Sequence, residues 1–594
     1  MDNRTLDLQL TDMRENLAVQ IAGQWQQWKS DRRAWELEKQ EIRDYVFATD
    51  TRKTSNSQLP WKNSTTIPKL CQIRDNLHAN YMAALFPNDN WLSWEAGNAE
   101  SDLREKKKAI LAYMRNKTRT SQFRQTVSQL VYDFIDYGNP IADVDYVRET
   151  VVGDDGEEMQ SYIGPRLRRI SIMDMVFNPT AASFDKAPKI VRTLVSYGTL
   201  TRMAETLTDP DLRDAFGKAV QKSRHLRQHV ANMSATEAGK IRAFSVDGFG
   251  SLSSYLQSSY VELLEFEGDL YDANSDTMYS NYQIFVIDRS FVLLKRRNPS
   301  WLGQSSKKHC GWRLRPDNLY AMGPLDNLVG MQYRIDHLEN LKADIFDMIA
   351  HPQKKVRGMV EGVENNQPGA TFWVGDDGDI EYMHPDVTAL NADFQIQILE
   401  QKMEEMAGAP KQAMGIRTPG EKTAYEVQKL ENAAGRIFQS KITYFEEQFL
   451  EPLLNAMLAE ARRNLDTADL IRVVEDDLGV AEFIKISKDD LTAQGVLRPI
   501  GARHFAAKAQ LIQNLTSLYS SSIGQDPSVM VHLSGKKIAK LIEEQLNLEQ
   551  YGLFEDNVRV IEQADTAKLT QAAQDEIMND SMTDTSMIPE EGLE

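Results

Sequence analysis

His225 and His229 stand four residues apart in a stretch with helical periodicity, a spacing that puts two imidazoles on one helix face where they could share a zinc ion. A hydrolytic zinc site also needs a general base, and the intervening Leu226, Arg227 and Gln228 supply none. A surface helix is the competing reading. Gly248, Phe249 and Gly250 have the spacing that begins a dinucleotide loop, yet Ser253 stands where the third glycine belongs, and the serines from Ser245 to Ser259 read as a flexible turn. No GxxxxGK[ST] run cradles a triphosphate, and neither HExxH nor GxSxG occurs. With 87 Asp plus Glu in 594 residues, some carboxylate pair always falls at a plausible spacing, so acid/base catalysis gains no support. The expectation is a protein without catalytic residues, cofactor or metal.

The strongest local chemistry is electrostatic. Between Arg289 and Pro316 there are eight Lys or Arg residues and no acid, with Trp301 and Trp312 interleaved. Within it Lys295, Arg296, Arg297, Lys307 and Lys308 form a candidate basic patch, for DNA or for an acidic neighbour, with plain solvated surface as the third reading. The whole chain carries a formal charge of −19, which repels phosphate and argues against a tight, general nucleic-acid binder. Cys71 and Cys310 are the two cysteines, in no CxxC spacing, so neither a disulfide framework nor a zinc ribbon is expected and a reducing compartment is. Met1 to Leu17 is polar and acidic rather than a signal peptide, and no run of eighteen apolar residues appears, so export by that route and a membrane span are not expected.

The elements that must position these residues predict an α+β protein, mainly helical. Leu17, Ile21, Trp25, Trp28 and Trp35 recur at helical spacing over 17–47, an aromatic stripe that reads as core. Helix is expected again over 70–85 and 103–137, then strands over 141–148 and 162–172 around the turn Gly153, Asp154, Asp155, Gly156. Helix over 200–241 and strands over 260–267 and 282–294 follow. Gly323 and Pro324 open a helix over 325–349 whose stripe is Leu338, Leu341, Ile345, Met348 and Ile349, and which must stop before Pro352. A short β-rich piece comes next: 355–363, then 371–374 and 380–383 flanking an Asp376, Asp377, Gly378 hairpin turn. Asn391 caps a second helix with Ile396, Leu399, Met403 and Met406 on one face, ending at Gly408, Ala409, Pro410. After the ten residues Ala409 to Thr418, the capping box Thr418, Pro419, Gly420, Glu421 starts a helix that runs to about Leu465 with a bend near Pro452. Helix is expected over 501–553, and disorder over Leu569 to Glu594, with seven acids and no base.

The order helix, small β insert, helix, ten-residue connector, long helix resembles the stem, clip, stem and tunnel loop of the portal proteins of tailed bacteriophages, especially short-tailed ones. Gly420, Glu421, Lys422, Thr423, Ala424, Tyr425, Glu426, Val427, followed by Phe445, Glu446, Glu447 and Leu450, Glu451, Pro452, Leu453, Leu454, is similar to the portal pattern after the tunnel loop. Asp326 to Ile349, with Leu338, Glu339, Asn340, Leu341, resembles the first stem helix. Gly164, Pro165, Arg166 and Val176, Phe177, Asn178, Pro179 resemble a wing-domain signature. The likeness spans roughly 137–561. It departs from the family in a short crown, which implies no long C-terminal barrel, and in the Trp-rich first 50 residues, which match none of its parts.

The resemblance implies a non-enzymatic homo-oligomeric ring, generally a dodecamer, at one capsid vertex of the virion, assembled in the host cytoplasm. Double-stranded DNA is pumped through it by a separate terminase and later ejected, and an acidic lumen suits DNA that must slide without sticking. The implied partners are the major capsid protein, the terminase large subunit and the tail adaptor or head-tail connector protein. The implied segments are wing and N-terminal helices (1–316), stem helix 1 (317–350), clip (351–389), stem helix 2 (390–408), tunnel loop (409–418), long wing helix (419–465), return to the wing (466–500), crown (501–560) and flexible acidic tail (561–594). Lys411 and Arg417 of the loop would meet phosphates and Met414 would make apolar contact, an ordinary helix connector being the plain alternative. Lys354, Lys355, Arg357 and Trp373 would belong to the docking surface of the clip, with a hairpin-core role for Trp373 as the close second reading. The competing functions are a phage DNA-processing enzyme and a helical adaptor that forms no ring.

Overall fold

The computed structural model describes residues 15–59, 62–87, 91–97, 104–152, 158–205, 207, 209–231, 260–272, 274–299, 305–362, 371–383, 387–407, 438–465, 469–474, 481–491, 494–499 and 571. The chain divides into two compact units, Met1–Val473 with Ala481–Gly501, and Val474–Val480 with Ala502–Glu594. Val474 and Gln571 apart, the described residues belong to the first unit. The architecture is α+β, as the sequence predicts.

The Trp-rich segment is two helices, α1 (Asn16–Asp31) and α2 (Arg33–Phe47). The break falls at Arg32, whose guanidinium donates to the carbonyls of Ile172, Met173 and Met175 at 2.9, 3.1 and 2.5 Å. A buried cation with fixed carbonyl partners outcompetes one further residue of helix, which is why the apolar period ran through the break unmarked. Helices α3 (Lys69–Leu85), α4 (Arg104–Thr120) and α5 (Phe123–Asp136) follow, with strand β1 (Leu92–Ala96) before α4. The predicted helix over 103–137 is interrupted at Gln122, which adopts the left-handed region at φ 57°.

Strands β2 (Ile141–Val152) and β3 (Glu158–Ile170) form the expected hairpin, Ile141 opposite Ile170, and β9 (Lys308–His309) adds to its edge. A second, all-antiparallel sheet runs in the order β4 (Met175–Phe177), β5 (Lys189–Ser196), β6 (Tyr260–Asp272), β7 (Thr277–Ile287), β8 (Phe291–Arg297), with α6 (Tyr197–Glu205) and α7 (Pro210–Ala231) between β5 and β6. The predicted single strand over 282–294 is β7 and β8, turned at Asp288 and Arg289 with φ 47° and 56°. Their alternating apolar residues continue across a turn that contains no glycine, so the pattern hid it.

Strand β6 is buried on both faces. Leu264 and Phe266, with Ile190, Ile284 and Val286, meet Ile21 and Trp25 of α1, which confirms that aromatic stripe as core. Val261 and Leu263, with Ile287 and Phe291, meet Leu200 and Phe216 on the other face. Farther along that second face come Glu265 and Glu267, since alternate residues of a strand share a side. Val176 and Phe177 lie in these cores, Val176 beneath α1 and Phe177 in a third cluster with Ile172 and Tyr320.

After β10 (Arg313–Arg315) and β11 (Asn318–Met322), the chain leaves this body at Gly323, which presses on Gly138. Gly138 has φ 70°, and a Cβ there would come within 2.5 Å of the Gly323 nitrogen. Turns occupy 324–328, so helix α8 (Val329–Ala350) starts four residues later than expected. The ribbon strands β12 (Gln353–Arg357), β13 (Val360–Glu361), β14 (Trp373–Val374) and β15 (Asp379–Met383) follow. Helix α9 (Asp393–Ala407) is led in by a 3-10 turn, Val387–Ala392, in place of the expected Asn391 cap.

Residues 438–445 are helical and pass through a π turn, Glu446–Leu450, into α10 (Glu451–Asn464). The Glu451 N–H bonds the Glu446 carbonyl five residues back. Pro452 has no N–H for the Gln448 carbonyl, and the wider turn is the local answer, where the sequence predicts a bend. Strands β16 (Asp469–Val474) and β17 (Ala481–Ile486) pair with each other, and after the short helix α11 (Lys488–Leu491), β18 (Gly495–Pro499) pairs with β1.

Candidate functional site

Helices α8 and α9, packed together, and the ribbon between them form an arm. The ribbon is one long antiparallel pair with a kink. Its base joins β12 to β15, Gln353 opposite Met383 and Arg357 opposite Asp379; its tip joins β13 to β14, Val360 opposite Val374. The predicted hairpin between β14 and β15 is therefore corrected: Asp376, Asp377 and Gly378 bulge out of one strand instead of closing a turn between paired strands. The Gly375 N–H bonds the Met359 carbonyl and the Gly378 N–H bonds the Gly375 carbonyl. Opposite the bulge, Gly358 has φ 75°, and a Cβ there would lie 2.2 Å from the Asp377 oxygen, so glycine is required.

Side chains alternate across this ribbon. Lys355 and Arg357 share one face with Glu381 and Asp379, and Lys355 Nζ lies 2.9 Å from Glu381 Oε2. Val356, Ile380 and Tyr382 lie on the other, with Lys354, whose ammonium stands 4.1 Å over the Phe372 ring. Most of these residues are exposed. Trp373 and Met359 are both 74% exposed, which removes the hairpin-core reading of Trp373. Phe346, Met348 and Ile349 at the end of α8, and Phe394 at 71% on α9, extend the apolar surface down the arm. Met348 and Ile349 were expected in the packed stripe of that helix; Leu338 and Ile345 are the members that are buried. Exposed apolar residues thus recur on the ribbon and on the helix ends beside it.

A third feature of the arm had no counterpart in the sequence reading. Residues 62–68 form a strap along α8 that runs into the first turn of α3, held by polar side chains four residues apart. Gln332 donates to the Ile67 carbonyl at 2.6 Å and accepts from the Leu70 N–H at 3.0 Å. Asn340 does the same for Thr65, at 2.6 and 2.8 Å. Asp336 accepts from the Ile67 N–H and the Thr66 hydroxyl, and Asp344 from Asn63. Burial pushes the Asp336 carboxyl up to about 6, against the pull of those donors. At the strap's end Lys69 Nζ meets Glu404 Oε1 of α9 at 2.7 Å, both buried, so one segment grips both helices. The i, i+4 run of Gln332, Asp336, Asn340 and Asp344 is the signal that marked this stripe.

The proposed basic patch does not survive as a unit. Lys307 is fully buried, its Nζ 2.6 Å from Glu265, 2.8 Å from Glu267 and 3.5 Å from Asp143, acids of β6 and β2. It serves neither DNA nor a neighbouring subunit. Burial alone would strip its proton, but the three carboxylates raise its pKa well above the usual lysine value. Asp143 is likewise pushed up by burial and pulled further down by Lys307 and Arg168, to about 2. Lys308 pairs with Asp185 at 3.1 Å. Lys295, Arg296 and Arg297 remain exposed at the end of β8, where Arg296 donates to Gln283. The anomaly in local composition was real, but its compensation came from strands more than a hundred residues earlier and forty residues earlier, which linear charge counting does not see.

Lys411, Met414 and Arg417, the capping box at Thr418, the Gly420 to Val427 motif, the crown and, Gln571 apart, the acidic tail lie outside the described residues, as do Gly248 and Gly250. His225 and His229 both fall in α7, and among the described residues no group of three His, Cys, Asp or Glu side chains is gathered to hold a metal ion. No described helix is long and apolar enough to cross a membrane. The sequence matches no protein-family model, and no curated protein is significantly similar to it.

Proposed function

We propose that this chain is a phage portal protein: a homo-oligomeric ring, generally twelve copies, at one capsid vertex of the virion, through which double-stranded DNA enters and leaves. The observation that carries the reading is the arm. A helix, a kinked β ribbon and a returning helix follow the well-packed α+β body, with aromatic and aliphatic side chains exposed on the ribbon and at the helix ends beside it. A segment so rich in exposed apolar groups needs partners, and repetition of the same chain around an axis supplies them. The ribbon, with Lys354, Lys355, Arg357 and Trp373, would dock the terminase large subunit and later the tail adaptor. The body would meet the major capsid protein, and Lys411, Met414 and Arg417 would face the DNA. In this reading the protein is a conduit and a platform, with the motor chemistry supplied by the terminase, in keeping with a chain that lacks a phosphate-cradling loop.

Light scattering and electron-microscope averages of the purified protein test it. A hollow closed ring, of the generally twelve copies proposed above, is expected. A monomer without a ring at any concentration would overturn the reading, and nuclease activity in that monomer would turn it toward a DNA-processing enzyme. Lys411→Glu with Arg417→Glu should leave rings intact and impair packaging.

A further inference from the structure

The larger sheet of the body ends on one side at β8, which among the described residues pairs with β7 alone. The Asn298 N–H donates to the Asn281 carbonyl at 2.9 Å, and backbone groups alternate sides along a strand, so those of Leu294 and Arg296 also face β7. Those of Lys295 and Arg297 face outward. Sheet edges left open template unwanted pairing, and proteins cover or pair them. Glu15 already occupies the start of this one: its N–H donates to the Ser290 carbonyl at 3.0 Å, and its carboxylate accepts from the Val292 N–H at 3.1 Å. The chain therefore enters α1 from the edge of β8.

Residues 1–14 lie outside the described residues, but their sequence has a period. Thr5, Leu6, Asp7, Leu8, Gln9, Leu10 and Thr11 alternate polar and apolar without a break, which is the pattern of a strand and not of the helix that follows. We infer that residues 5–11 pair with the outer edge of β8 in the same chain, as a sixth strand antiparallel to it. Tethering selects the partner. Only Asp12, Met13 and Arg14 separate this stretch from Glu15, so the edge of its own sheet is presented at an effective concentration on the order of millimolar. Direction follows as well. A chain that runs along β8 and arrives opposite Ser290 passes Arg297 first and Val292 last, the antiparallel sense of every other pair in this sheet. At roughly 3.3 Å per residue, residues 5–14 reach about 33 Å, more than the length of β8.

Side-chain chemistry then sorts the faces. Lys295 and Arg297 stand opposite Ile284 and Tyr282, which pack beneath α1, whereas Leu294 stands opposite Phe285 on the α7 face. Cross-strand neighbours share a face, so Asp7, Gln9 and Thr11 belong beside the two cations, and Leu6, Leu8 and Leu10 extend the apolar surface of Leu293 and Phe285. The opposite placement would set three leucines against Lys295 and Arg297.

Hydrogen exchange resolved to single amides in the full-length protein tests this, and it applies to one chain whether or not copies close into a ring. The Lys295 and Arg297 amides should be protected to within about tenfold of those of Leu294 and Arg296. Leu8→Pro with Gln9→Pro removes two successive donors, one of which must face β8, and should speed exchange at Lys295 and Arg297 at least about tenfold while leaving Leu294 and Arg296 unchanged. Those two inner amides report that the sheet itself still folds. Open-edge exchange at Lys295 and Arg297 in the unaltered protein would overturn the inference, as would protection that survives both prolines or a loss shared equally by all four amides. Protection that rises with protein concentration would move the strand to a neighbouring copy and overturn the pairing within one chain.

Discussion

The body and the arm use the same kinds of residue in opposite ways. In the body, Lys307 is enclosed by Asp143, Glu265 and Glu267, and Trp25 is fully buried against a sheet. In the arm, Lys355 and Glu381 meet in solvent, and Trp373 packs on little of its own chain. The first arrangement is complete within one polypeptide. The second leaves ionic pairs weak and apolar surface uncovered, energy that the ring proposed above would draw on where copies meet. Stability of the single chain should therefore reside in the body and assembly in the arm.

The sharpest test of that division is Lys307→Met. Removing one partner from a buried ionic group strands the others, and a loss of about 3–5 kcal/mol is expected in denaturant unfolding. Asp143 adds a pH signature. With a folded value near 2, below its unfolded one of about 4, its contribution is present above about pH 4 and lost as pH falls toward 2. In Lys307→Met the folded value rises toward the unfolded one and that acid loss should shrink. The reciprocal change in the arm, Lys355→Met, should alter unfolding by less than about 1 kcal/mol, as exposed pairs do.

Asp336 lies where body and arm join, and its sign is reversed. Its folded value of about 6 exceeds the unfolded one, so the burial penalty is absent below about pH 4, grows through pH 6 and is full above it. Unfolding measured from pH 4 to 7 should show a loss of up to about 3 kcal/mol from this group, and Asp336→Asn should abolish that slope. A slope unchanged by the substitution would place the titration elsewhere. Next in size is Asn340→Leu, which leaves the Thr65 N–H and carbonyl without their partner and should cost about 2 kcal/mol, with faster hydrogen exchange confined to 62–70. Smallest for the single chain is Trp373→Ser, within about 0.5 kcal/mol in unfolding. If instead it destabilised the monomer as much as a core substitution, the contrast between body and arm would fail.

Legibility followed the same division. Periodicity located α1, the β2–β3 hairpin, α8 and α9 because each has one apolar face or alternating pattern that a short window can contain. It failed at Arg32, Gln122 and Asp288–Arg289, where the chain breaks without glycine or proline; at Arg32 and Arg289 the reason lies in distant partners. Lys354, Lys355, Arg357 and Trp373 all fall on the ribbon, but its pairing was misassigned because four very short strands admit more than one register. The strap was missed for another cause: its adhesive groups are amides and carboxylates on a helix, which apolar pattern reading counts as solvent-facing.

The π turn before Pro452 also sets an angle. One surplus residue in a helix offsets everything on its far side by about 100° of azimuth, the rotation per residue. The Phe438 side chain, which meets Tyr81 edge-on at 4.9 Å, and Lys441, which bonds the Trp312 carbonyl, hold the positions that this offset dictates. A proline at one end thus works as a phase key for the other, and a single-residue deletion between them would unseat both contacts at once.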